Sequence, residues 1–133
     1  MRLTRRSEYA ILALLYLARH QDEGFLPLAR LAEAQGIPIK FLEHIVVAMS
    51  RAGYLASQKG QHGGHRLARD PRQITLAEVI RLMDGALAPV SSVSRYFYQA
   101  TPIEREAKML EFLREIRDWI SARLETTTLA DML

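Results

Sequence analysis

The sequence predicts a mainly α fold with one small β-hairpin and a long C-terminal helix, and three features point to it. Two short stretches of helical periodicity, residues 26–36 and 39–53, are separated only by Ile37-Pro38 after Gly36. A glycine-rich stretch at 59–67, KGQHGGHRL, lies between two short segments of strand character. From Pro102 to about Glu125, apolar residues recur every three or four positions with no internal glycine or proline.

The elements follow in order. Tyr9 to Ala18 (YAILALLYLA) is apolar nearly all round and is preceded by Thr4 and Ser7 as candidate caps, so it predicts a buried helix ending near His20. In residues 26–36, Leu28, Leu31 and Ala32 mark one helical face and Gly36 is a natural stop. Pro38 then suits the first turn of a new helix, where its missing N–H costs nothing. In that helix Phe41, Leu42, Ile45, Val46 and Met49 form the apolar stripe, Lys40, Glu43, His44 and Val47 lie opposite, and Gly53 closes it. Two short helices across so tight a turn form a helix-turn-helix pattern over residues 28–51.

Tyr54-Leu55-Ala56-Ser57 and His65-Arg66-Leu67-Ala68 flank the glycine-rich tip and predict a hairpin over residues 54–68. Helix, helix, helix, hairpin is the order of a winged helix-turn-helix domain. Thr75 and Glu78 form a capping box at the start of LAEVIRLMDG, which completes a domain of residues 1–84. Residues 85–101, with Gly, Pro and serines but no clear period, predict a linker of uncertain local order. Residues 102–133 are the long helix and its tail. Met109, Leu113, Ile116 and Ile120 make one stripe on that helix, and Phe112 and Trp119 a second beside it. One stripe suffices to pack a helix on its own domain, so the second points to a symmetric partner subunit.

Composition narrows the function. With 133 residues the chain holds about one core, and its 49% apolar and 25% charged residues are those of a folded domain. No apolar run reaches the ~18 residues needed to span a bilayer. Glu8 interrupts the N-terminal basic–apolar pattern and no small-residue cleavage site follows, so the expectation is a cytoplasmic protein without a signal peptide. The absence of cysteine excludes disulfides, thiolate metal sites and a cysteine nucleophile. Residues 1–74 carry eleven Lys/Arg against six Asp/Glu, whereas residues 75–133 carry seven against nine. A basic front half suggests contact with a polyanion.

The tip KGQHGGHRL has several readings. A phosphate-binding loop would feed its glycines into a helix beginning Lys-Ser/Thr, and here they lead into Arg66-Leu67. His62 and His65 alone make a poor metal site without carboxylate or thiolate help. A DNA-binding wing fits best. Gly60, Gly63 and Gly64 allow a tight backbone that approaches DNA closely, Lys59 and Arg66 supply positive charge, and Gln61 and His62 add polar groups. No nucleophile–base pair or carboxylate dyad can be assembled from the spacing, so the chain is not expected to be an enzyme.

MRLT-x4-YA at the start, LARLAEAQGIPIKFLEHI, the wing GQHGGHRL and the terminal TLADML together resemble the IscR/NsrR/CymR family of bacterial transcriptional regulators, nearly end to end. The resemblance implies a dimeric winged-helix repressor or activator on palindromic double-stranded DNA, with a long helix crossing to the partner. Carried over, it places Leu28 at the start of the helix-turn-helix and Pro38, Lys40, Phe41, Glu43 and His44 at the major groove. Glu43 would accept from a cytosine amino group, and Lys40 would serve a guanine edge or a phosphate. Arg2, Arg5 and Arg51 are candidate phosphate partners. Met109, Phe112, Leu113, Ile116, Trp119 and Ile120 would form the dimer interface.

One departure from the family matters. Cluster-binding members carry three cysteines before the long helix, and this chain has VSSVSRYFYQATPIEREAKML there, with Ser92 about where the first would stand. A hydroxyl does not replace a thiolate, so no iron–sulfur cluster is expected and Glu8 becomes a surface or capping carboxylate. A small-molecule or protein effector at Tyr96-Phe97-Tyr98 is one alternative; packing of these rings on the long helix is the plainer expectation. An adaptor that keeps the fold but regulates through a partner protein is the competing functional class, and its binding to DNA would lack a steep salt dependence.

Overall fold

The computed structural model describes residues 1–133. Its helices are α1 (Arg5–Arg19), α2 (Leu28–Gln35), α3 (Ile39–Arg51), α4 (Leu76–Asp84) and α5 (Ala107–Glu125). A single antiparallel hairpin, β1 (Leu55–Gln58) with β2 (Gly64–Leu67), pairs Leu55 with Leu67 and Gln58 with Gly64.

α1 runs through the centre. Thr4 caps it by accepting the Ser7 N–H at 3.3 Å, while Ser7, the other candidate cap, lies inside the helix and is fully buried. Ala10, Ala13, Leu14 and Leu17 pack against Leu31, Ile37, Leu42, Ile45 and Met49 of the helix-turn-helix. Each such fully buried leucine contributes about 1.5–3 kcal/mol. The small residues of α1 let the neighbouring helices come close, which is why an Ala/Leu-rich stretch sits at the axis.

α2 stops at Gly36, whose φ of 65° and ψ of 35° are left-handed, and Ile37 N–H returns to the Ala32 carbonyl at 2.9 Å. Pro38 is the N-cap of α3, one position earlier than the first-turn placement expected from the sequence. The Thr75–Glu78 capping box forms in both directions, with Glu78 N–H on Thr75 Oγ1 at 3.2 Å and Thr75 N–H on Glu78 Oε2 at 2.9 Å.

One expectation is corrected. The long helix does not run from Pro102. Pro102–Arg105 form a 3-10 turn closed by Glu106 N–H on the Ile103 carbonyl, Glu106 is extended (φ −112°, ψ 94°), and α5 begins at Ala107. Residues 85–101, expected as a linker of uncertain local order, have buried Leu87, Ala88, Ser92, Val93 and Ser94, and Ser91–Val93 form a 3-10 turn. The segment's order comes from side chains that no period in the sequence announces.

Past α5 the chain returns to the first domain. Leu76 N–H donates to Thr127 O and Leu129 N–H to Ile74 O, both at 2.9 Å, and Leu129 is fully buried in the main core. No helix is long and apolar enough to cross a membrane.

Candidate nucleic-acid interface

α3 buries Leu42, Ile45, Val46 and Met49 and leaves Lys40, Glu43, His44 and Arg51 exposed. Phe41, expected on the buried stripe and also at the DNA face, is 39% exposed. It is held by an edge-on contact with Tyr9, ring centroids 5.4 Å apart at 82°. Val47 is exposed on this helix, on the face opposite the apolar stripe as expected, and so is Ile39, an apolar group that the sequence pattern did not assign. Leu28 is half-buried at the start of α2 and Pro38 is exposed where the chain enters α3.

Lys59, Gln61, His62 and Arg66 of the hairpin are exposed. The Arg66 guanidinium lies over the Phe25 ring, 4.5 Å from its centroid, which sets its direction without neutralising it. Gly60 has a φ of 104°, and the turn closes through Gly63 N–H on the Gly60 carbonyl at 3.0 Å. The other two glycines of the tip are required by close backbone contacts within the protein. A Cβ at Gly63 would collide with the Gln58 carbonyl oxygen, and one at Gly64 with that of Leu26. Leu26 is there because it bridges to His65, exchanging N–H···O bonds of 2.9 and 2.8 Å, so the wing is anchored to the chain entering α2.

His65 is consequently half-buried, with Nδ1 enclosed and unpartnered, and burial pushes its pKa below the ordinary 6.5. His62 sits apart from it at the exposed tip, and no group of three or more His, Cys, Asp or Glu side chains converges anywhere. Behind the wing, Glu78 accepts from Tyr54 Oη at 3.2 Å and Arg69 Nη1 at 3.1 Å. Burial pushes the Glu78 carboxyl up, but the Thr75 N–H and the Arg69 guanidinium outweigh it and hold it below its usual range.

Charge pairing sorts the cations. Arg30 is paired with Glu23, Arg69 with Glu78 and Arg72 with Asp70, at 2.9, 3.1 and 2.6 Å. Arg5 is paired with Glu8 at 3.0 Å, which makes Glu8 a surface carboxylate. Arg2, Arg6, Arg19, Arg51, Lys59 and Arg66 have no carboxylate partner, and neither do Arg105, Lys108, Arg114 and Arg123 in the C-terminal part. Arg6 was not singled out from the sequence; only the packing of α1 beside α3 selects it over Arg5.

On α5, Met109, Phe112 and Trp119 are 42%, 53% and 71% exposed, while Leu113, Ile116 and Ile120 are half-buried. The segment before it is closed by Ser92 Oγ and Thr101 Oγ1 at 2.6 Å and by Phe97 N–H on Ser94 Oγ at 3.0 Å. Tyr96, Phe97 and Tyr98 remain largely exposed, contrary to the expected packing on the long helix. Arg81 covers one face of Tyr96, and Tyr98 Oη donates to Glu104.

Residues 3–133 match the Rrf2 family, described as an iron-dependent transcriptional regulator. An rrf2-like HTH-type transcriptional regulator of Rhodobacter capsulatus is 33% identical over 137 residues, covering 98% of this chain and 91% of that protein. The regulator IscR of Xenorhabdus nematophila is 42% identical over 87 residues, 65% of this chain and 53% of that protein, so this match spans about half the length of the relative. Among solved structures, CymR, the global cysteine regulator of B. subtilis, superposes with a TM-score of 0.78 at 27% identity, covering 99% of this chain and 95% of that one. These relatives are transcriptional regulators and not enzymes. With its helix-turn-helix, wing and C-terminal helix in this arrangement, the chain belongs to the Rrf2 family of DNA-binding winged-helix transcriptional regulators.

Proposed function

We propose that the protein is a sequence-specific regulator that binds a palindromic operator as a homodimer and needs no iron–sulfur cluster to do so. The observation that carries the reading is the sorting of charge. The cations without carboxylate partners include Arg51 at the end of α3 and Lys59 and Arg66 on the wing, which supports a reading in which these two elements contact a groove and its flanking phosphates.

The dimer is supported by α5. Met109, Phe112 and Trp119 stand in solvent along a helix of 19 residues, about 28 Å long at 1.5 Å per residue. A row of large apolar side chains on that scale is what a second copy would cover. A two-fold dimer reads two equivalent half-sites, which makes the operator palindromic.

The family's description names iron, and the donors of this chain do not fit an iron–sulfur cluster. Such clusters are held mainly by thiolates, and there is no cysteine. Ser92 is buried and spends its hydroxyl on Thr101, and no histidine–carboxylate group of three or more converges to replace the missing ligands.

The test is to prepare the protein anaerobically with iron and select bound sequences from a random duplex pool. The expected result is a colourless protein that enriches an inverted repeat. An iron-dependent visible absorption that tracks operator affinity would overturn the cluster-free reading, and enrichment of no sequence would overturn the sequence-specific one.

A further inference from the structure

Between the first turn of α1 and the outer face of α3 lies an open groove of about 490 Å³, lined by Arg6, Phe41, His44, Val47, Ala48 and Arg51 together with Ile45. Its lining includes two guanidiniums and an imidazole, and no carboxylate. Neither arginine makes an ion pair. Of the other α1 and α2 cations, Arg5 pairs with Glu8 and Arg30 with Glu23, while Arg19, at the far end of α1, reaches only the Met132 backbone carbonyl at 3.5 Å.

We propose that this groove seats the phosphodiester backbone of DNA, with Arg6 of α1 and Arg51 of α3 clamping phosphates beside the recognition helix. The proposal rests on the DNA-binding reading and extends the contact surface from the helix-turn-helix and wing to α1. Three features favour a DNA strand over a small anion. The groove is an open trough rather than an enclosed pocket, it shares Phe41 and His44 with the recognition face, and its apolar members Phe41 and Val47 offer contact to deoxyribose between the charged ends. A guanidinium presents a planar fork that matches two phosphate oxygens. His44 has at least one ring N–H to donate in any protonation state.

The groove is also held in shape. Tyr9 lies one turn after Arg6 on α1, and its edge-on contact with Phe41 at 5.4 Å ties that turn to the groove wall. Arg6 therefore moves with α3 and not as part of a loose N-terminal arm. Because Arg6 and Arg51 are both exposed, replacing them leaves the core untouched.

The test compares wild type, Arg6→Gln, Arg6→Lys, Arg51→Gln and Arg114→Gln on a selected operator and on a random duplex across a salt series. Arg114 is an exposed α5 cation without an ion-pair partner and serves as the control. Each lost phosphate contact should lower the slope of log affinity against log salt by about 0.9 on both duplexes, which is roughly an eightfold weakening at 0.1 M salt. Arg6→Lys should restore most of the slope and Arg114→Gln should leave it unchanged. An unchanged slope for Arg6→Gln in a protein that still binds DNA would overturn the groove assignment and leave the DNA-binding reading standing. Failure of the wild type to bind any duplex would overturn both. Stabilisation by millimolar inorganic phosphate that Arg6→Gln abolishes, with the DNA slope unaltered, would assign the groove to a small anion and also defeat the proposal.

Discussion

Lys40 Nζ lies 3.9 Å from Glu43 Oε2, one turn apart on the outer face of α3, and both side chains are solvent-exposed. An exposed pair of this kind is worth about 0–1 kcal/mol, so DNA can separate it at little cost. Without DNA, the acid and the base read as recognition residues shield one another.

Glu43→Ala should therefore act in two ways. It removes the acceptor for a cytosine amino group and releases Lys40 as a free cation. Affinity for random duplex is expected to stay level or rise slightly, while preference for the selected operator falls by about 1–3 kcal/mol. Parallel titrations on the two duplexes check this, and equal losses on both would remove Glu43 from base reading.

The wing should behave in the opposite sense. Lys59→Ala combined with Arg66→Ala is expected to weaken binding to every duplex and to flatten the salt slope by about one unit per lost phosphate contact. Arg66 also covers Phe25, so its replacement costs about 0.5–1 kcal/mol of stability as well. A melting curve taken alongside separates that loss from the loss of DNA contact.

The wing glycines differ in what they tolerate. At Gly60 nothing stands within 4 Å of an added Cβ, and Gly60→Ala should cost only its backbone strain, about 1–3 kcal/mol. At Gly64 the added Cβ meets the Leu26 carbonyl, so Gly64→Ala should cost more than Gly60→Ala and loosen the Leu26–His65 bridge. Hydrogen exchange at the Leu26 and His65 amides would show it; equal protection in both variants would contradict the anchoring role.

Phe112→Asp with Trp119→Asp should leave the fold of one chain intact, because both side chains already stand in solvent. Sedimentation at micromolar concentration is expected to give a dimer for the wild type and a monomer for the variant, since each charge would be buried in the interface. A wild type that sediments as a monomer would refute the assignment of α5.

Burial lowers the pKa of His65 in the folded chain, so between that value and the ordinary 6.5 the unfolded chain binds a proton that the folded chain does not. The stability this residue allows is fully present above pH 6.5 and is lost as pH falls toward the depressed value. His65→Gln should flatten that part of the stability–pH curve. Melting temperatures at intervals from about pH 5 to 8 measure it, and superimposable curve shapes would count against the burial argument.

The helix-turn-helix was legible because Gly36 and Pro38 punctuate two apolar stripes, and the fourth helix because Thr75 and Glu78 sit at capping-box spacing. Such signals are local. What stayed hidden depends on pairs distant in the chain: Leu26 against His65, Thr75 against Thr128, Ser92 against Thr101. The start of α5 was misplaced because Glu106 carries no breaker chemistry; its extended backbone follows from the 3-10 turn before it. Phe41 sat at a phase that served both the core and the surface, and Tyr9 settled the matter. Arg6 and Arg5 are indistinguishable by composition and differ only in which way α1 turns them.

The seat of Leu129 beside Ile74 has a consequence for how the chain acquires its shape. A nascent chain that has emerged only as far as Asp84 has all the helices of the winged-helix head but lacks a fully buried side chain of its core and the backbone partner of Ile74. The head therefore cannot complete its packing during synthesis until residues some 45 positions further on have left the ribosome, a delay of seconds at about 5–20 residues per second. Closing that long loop makes the DNA-binding head and the C-terminal helix a single cooperative unit, so a fragment cut after α4 would melt earlier and more broadly than the intact chain.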